Sequence, residues 1–126
     1  MALYQLDEFK SLLASDNWAY FNRRLPIQTL DNLGWEDSDL LTMLFGLSDN
    51  DFQHTVPKCK IENYPHADYV DADQYEIYWD TENLVRQTLI TETTLCMSLK
   101  IAIITNKYGR ISGLVTLKPS GSSWRR

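Results

Sequence analysis

The chain has 126 residues, 44% of them hydrophobic, with 17 acidic against 12 basic side chains and a formal net charge of −5. That length and apolar content suit one globular domain with a real core, and no run approaches the roughly 20 apolar residues that cross a bilayer. Asp7 and Glu8 stand where a signal peptide would carry basic charge, so the expected location is the cytoplasm without a membrane partner. Cys59 and Cys96 lack the close spacing of a zinc site and the density of a secreted scaffold, and read as free thiols.

Along the chain, Leu6, Phe9, Leu12 and Leu13 recur at helical spacing, which predicts an amphipathic helix over Leu6–Ala14 with Asp7 and Glu8 favourably near its N-terminus. The aromatic run Trp18-Ala19-Tyr20-Phe21 reads as an edge strand, and Pro26 suits the first turn of a helix ending near Leu33 and Gly34. Ser38 or its neighbouring acids can cap the next helix, 38–45, whose Leu40, Leu41, Leu44 and Phe45 are helically spaced. After Gly46, Ser48 and Asp51 form a second capping box, which predicts another helix over 49–55 stopped by Pro57. Lys58 to Asp73, with Pro65 and several tyrosines, reads as a long irregular excursion.

From Gln74 the chain is rich in β-formers: Tyr75, Ile77 and Trp79 alternate with Glu76 and Tyr78, and 84–93 is expected to continue extended. Thr94–Thr105 and Ile111–Lys118 flank a hairpin connection, Asn106 to Arg110, in which Gly109 supplies positive φ. Helices early and strands late predict an α+β domain over 1–119, its helices packed on a largely antiparallel twisted sheet, followed by a flexible Gly/Ser-rich tail, 120–126.

Charge is segregated along this order. Every acid lies at or before Glu92, 17 against six bases, whereas the six later charges, Lys100, Lys107, Arg110, Lys118, Arg125 and Arg126, are all basic. A basic sheet behind an acidic helical half offers phosphate a local attractive field despite the negative total.

Two segments carry a family resemblance. Leu33-Gly34-Trp35-Glu36-Asp37 and Gly46-Leu47-Ser48-Asp49-Asn50-Asp51-Phe52, in this order before a terminal sheet, resemble the leucine-glycine turn and the G-L-S-x-x-D-F stretch of the MqsR (motility quorum-sensing regulator) toxins. The resemblance runs from about Leu6 to about Lys118, with Leu99-Lys100-Ile101 and Val115-Thr116-Leu117-Lys118 similar to the family's last two strands and an extra segment between Pro57 and Asp73. It implies a RelE-like fold and the toxin of a type II toxin–antitoxin pair: a metal-independent endoribonuclease, or mRNA interferase, needing no cofactor. Its implied partners are mRNA, free or on the ribosome, and a neutralising antitoxin protein. The alternative is a catalytically inactive MqsR-like fold that serves as a protein-binding inhibitor, a use to which an acidic surface is suited.

Cleaving RNA without a metal requires a proton taken from the 2′-hydroxyl, a proton given to the leaving 5′-oxygen, and cations on the phosphorane. Strand alternation sets Ser98 and Lys100 on one face and Leu99, Ile101 and Ile103 on the other, so Lys100 faces solvent, with Lys118 near it if the last two strands pair. Carried over from the family, Lys118 is retained, a lysine becomes His54, a glutamine becomes Tyr75, the following arginine becomes Trp79, and a tyrosine becomes Ser98. A one-residue shift would instead align the glutamine with Gln74. The candidate catalytic set is therefore His54, Tyr75 and Lys118, with Lys100, Ser98, Arg110 and Tyr78 for RNA binding. Each has a plainer role: His54 and His66 as surface or capping histidines, the lysines as edge charges, the tyrosines as packing. No glycine-rich phosphate loop, paired metal-ligand histidines or nucleophile elbow is present.

Overall fold

In the computed structural model, which describes residues 1–62, 64 and 67–120, the apolar spacing of Leu6–Ala14 does form a helix, α1, that buries Leu6, Phe9 and Leu13. Trp18–Tyr20 is strand β1, Arg24–Leu33 helix α2 and Asp37–Phe45 helix α3. The acids rather than Ser38 start α3: the Asp39 carboxylate accepts the Glu36 N–H at 2.8 Å. Strands β2 (Phe52–Lys60), β3 (Tyr69–Asp80), β4 (Val85–Arg86), β5 (Thr94–Asn106) and β6 (Gly109–Pro119) complete the chain. The sheet order is β1-β6-β5-β3-β2, with β4 beside the far end of β3; β1 runs parallel to β6 and every other pairing is antiparallel. The expected α+β class is observed, and no helix among the described residues is long and apolar enough to cross a membrane.

Three expectations are corrected. The helix over 49–55 is a single 3-10 turn, Asp49–Asp51, after which Phe52 is extended. The capping interaction forms, the Asp51 carboxylate accepting the Ser48 N–H at 2.8 Å, but Phe52–Lys60 finds a ladder partner in β3, and sheet pairing overrides a short helical signal. Pro57 therefore lies inside an edge strand, at a bulge where neither Pro57 nor Lys58 has a register partner and Lys58 takes φ 53°. The excursion expected over 58–73 is largely taken up by β2 and β3, which leave a connecting strap, 61–68; of the strap Asn63, Pro65 and His66 fall outside the described residues, as do 121–126 of the tail. Finally, 84–93 is extended only at Val85–Arg86.

One face of the sheet, the helix face, carries Tyr75, Ile77 and Trp79 of β3, Met97, Leu99 and Ile101 of β5, and Leu114 and Leu117 of β6, packed against α1, α2 and α3 in the main core. The other face divides. Its half nearest the strap is a second small core of Phe21, Ile61, Ala72, Ala102 and Val115. Its remaining half has no element over it among the described residues.

The G-L-S-x-x-D-F stretch earns its residues by architecture. A Cβ on Gly46 would stand 2.9 Å from the Trp79 ring. Leu47 is buried in the main core, and Phe52 meets the Tyr75 ring edge-on with centroids 5.7 Å apart. The Asp51 carboxylate holds Arg86 through two bonds of 2.8 and 2.6 Å, which fastens β4 to the helical layer.

Two carboxylates tie stability to pH. Asp80, at the end of β3, accepts the N–H and side-chain amide of Asn83, the Glu82 N–H, and the Gln87 and Thr93 side chains. Those bonds, with Asn83's the strongest influence, hold it well below the usual carboxylate range. At Asp51, burial pulls upward, but Arg86 and Ser48 together outweigh it and the carboxyl is also depressed. A folded-state pKa below the unfolded value of about 3.9 gives stability that is complete above that pH and is lost as acid approaches the folded value. The urea midpoint should therefore fall steeply from pH 5 to pH 3, and Asp80→Asn, less stable at neutral pH, should show a shallower fall. An equal slope in the variant would show that Asp80 is not the group responsible.

Candidate functional site

The uncovered half-face is built by register. In an antiparallel pair, directly opposed residues share a face. His54 opposes Gln74, Gln74 opposes Lys100, and Lys100 opposes Thr116, making one row across β2, β3, β5 and β6. Glu76 opposes Ser98, which opposes Lys118, in the next row; Tyr78 opposes Cys96 in a third. Strands lie about 4.8 Å apart and same-face neighbours about 6.7 Å apart along a strand, so His54 and Glu76, and likewise Lys100 and Lys118, are diagonal neighbours about 8 Å apart at their backbones.

His54 belongs to this face because of an irregularity. Phe52 opposes Tyr75 and His54 opposes Gln74, which leaves Gln53 as an extra residue and turns His54 away from the helix face that Phe52 occupies. Thr55 then returns to the helix face and donates to Asp73 at 2.7 Å. His54 is thus an exposed strand residue, not the helix-end residue expected. A second bulge, at Val115, pushes that side chain into the small core and sets Thr116 opposite Lys100.

Lys118 is exposed and Lys100 half-buried, and neither forms an ion pair among the described residues. Ser98 is buried at the middle of the array and accepts a 3.2 Å bond from the Gln74 amide. The Lys100 charge reaches Cys59, whose thiol is nevertheless raised, chiefly by burial. Tyr78 is 50% exposed, enough to offer a ring face to a base.

Two expected site residues lie elsewhere. Tyr75 points to the helix face and is 1% exposed, its phenol pushed up to about 12 by burial and by Asp73, Asp49 and Asp51. Its neighbours Gln74 and Glu76 take the open face, because the strand alternates. Arg110 is at the tip of the β5–β6 hairpin, paired with Glu8 of α1 at 3.1 Å. Tyr75→Phe should consequently leave any activity of the open face unchanged; a tenfold fall in rate with an unchanged melting temperature would return Tyr75 to the site. Gln74, Glu76 and Thr116 join the array, and the signal for the first two was the alternation of Tyr75, Ile77 and Trp79 itself. Among the described residues, no group of three or more His, Cys, Asp or Glu side chains is arranged to hold a metal ion.

Compared with protein-family models, characterised proteins and solved structures, the chain matches none.

Proposed function

We propose that this chain is a divergent MqsR-like toxin of the RelE type: a metal-independent endoribonuclease acting on mRNA and silenced by a cognate antitoxin. The observation that carries the reading is the grouping of His54, Ser98, Lys100 and Lys118, from three strands, on one uncovered half-face. On it, the lysines bind and neutralise the scissile phosphate, His54 transfers a proton, and Tyr78 stacks on an unpaired base.

A second reading, an inactive member of the same fold that binds protein, is favoured by one observation: Tyr75 and Trp79, at the positions aligned with the family's glutamine and arginine, are core residues. One experiment separates the two. Purified chain with EDTA is incubated with end-labelled mRNA, with and without ribosomes, beside the His54→Ala/Lys118→Ala variant. Cleavage by the native chain alone supports the ribonuclease; intact RNA in every lane, with no growth arrest on expression, supports the binder.

A further inference from the structure

Glu76 is the one carboxylate within the array of His54, Gln74, Lys100, Ser98 and Lys118, and a face built only to hold phosphate has no use for it. A carboxylate on the strand beside Lys100 weakens the field that attracts an anion. Nor is Glu76 spent on structure. It is half-buried, its direct cross-strand partner is the neutral Ser98 rather than a lysine, and among the described residues its one hydrogen bond is a long 3.3 Å contact from the Ser120 hydroxyl to Oε2. Its other oxygen has no hydrogen-bond partner among those residues.

We propose that Glu76 is the general base of the cleavage and that His54, diagonally opposite, is the general acid. The inference rests on the ribonuclease reading above. Lys100, diagonal to Glu76 and in the row of His54, holds the phosphodiester between the two groups, whose backbones are about 8 Å apart. The Glu76 carboxylate takes the 2′-hydroxyl proton, and the O2′–P bond forms. The P–O5′ bond then breaks while the His54 imidazolium gives its proton to the leaving 5′-oxygen. The products are a 2′,3′-cyclic phosphate and a 5′-hydroxyl end, and solvent exchange restores both groups. Ser98, buried in the row of Glu76 and Lys118, and Gln74, bonded to it, fix the floor under the reacting ribose.

This assignment demands an ionised carboxylate and a protonated imidazole together, hence a bell-shaped pH profile whose acid limb belongs to Glu76. The titratable groups facing it are Tyr78 of its own strand, Cys96 and Lys100 of β5, Lys118 of β6 and His54 of β2.

The test is Glu76→Gln, which keeps the shape and the Ser120 bond, assayed on a single-stranded RNA across pH with end-group analysis. Binding is measured separately on the same oligonucleotide carrying 2′-deoxyribose throughout. Expected are a fall of about 10²–10⁴ in kcat, loss of the acid limb, binding equal to or tighter than native, and native products ending in 2′,3′-cyclic phosphate. Glu76→Asp should retain the limb at reduced rate. If native chain cleaves and Glu76→Gln cleaves equally with its acid limb intact, or if the native products carry 3′-hydroxyl ends, the assignment is wrong while the ribonuclease reading stands. Native chain that leaves RNA intact overturns both.

Discussion

Replacing Lys100 and Lys118 together by alanine should reduce RNA cleavage by about 10³-fold. The two side chains stand on adjacent strands of the open face, at diagonal positions fixed by the pairing of Ser98 with Lys118 and of Lys100 with Thr116. A phosphorane carries an extra negative charge relative to the bound phosphodiester, so cations held in place by a sheet are worth more in the transition state than in the ground state. Most of the loss should therefore appear in kcat. The remainder should appear in binding, where two fewer phosphate contacts lower the salt dependence of single-strand affinity by about 1.4 in log–log slope. Stability should barely change, because Lys118 is exposed and neither lysine is ion-paired among the described residues. Cleavage within twofold of native in the double variant would remove the open face from consideration as the active site.

How much of this face was legible in the sequence depends on which rule governs each residue. The strand period alone put Ser98 and Lys100 opposite Leu99 and Ile101, and the hairpin around Gly109 brought Lys118 into their company. Both are local rules, and both held. The same period, applied to Tyr75, would have assigned it to the core with Ile77 and Trp79; alignment with a family glutamine pulled it toward the site instead. Gln74, one residue away, is the side chain that reaches Ser98. For His54 the reverse happened. Local capping pointed to a helix, and nothing within 49–55 announces that β3 will take Phe52–Lys60 as a partner or that Gln53 will be extruded to turn the imidazole outward. Long-range pairing and bulges are decided by the partner strand, which the local pattern does not contain.

The strap shows the same limit. Pro65 and the run of tyrosines suggested a free excursion, yet Ile61 is buried, and the Glu62 N–H bonds both the Phe21 carbonyl, at 3.1 Å, and the Asn22 side chain, at 2.8 Å. Asn22 in turn donates to the Lys60 and Val115 carbonyls at 2.9 and 3.2 Å. Ile61 and Glu62 are thus fastened beneath the sheet, and they mark where the covered half of that face ends and the open half begins.

That fastening predicts the largest effect on stability. Phe21 is fully buried, and a Cβ on Gly113 would stand 2.0 Å from its ring, a separation that no side-chain adjustment short of moving the ring can relieve. Gly113→Ala should cost about 3 kcal/mol and lower the melting temperature by roughly 10 °C. The cause is a collision, so it should disappear with the ring: Phe21→Ala costs about 3–5 kcal/mol in the native chain but far less when Gly113 is already alanine. Thermal unfolding of the two single variants and the double variant measures that coupling. Additive losses, or a Gly113→Ala protein as stable as native, would mean that Phe21 does not seat on Gly113 and that the strap is held by its hydrogen bonds alone. With the ring displaced, the strap no longer has its anchor, and the small core of Ala72, Ala102 and Val115 is exposed beside the row of His54, Gln74 and Lys100. Cleavage by Gly113→Ala should then fall even at temperatures where the variant remains folded, because the floor of the array is continuous with that core.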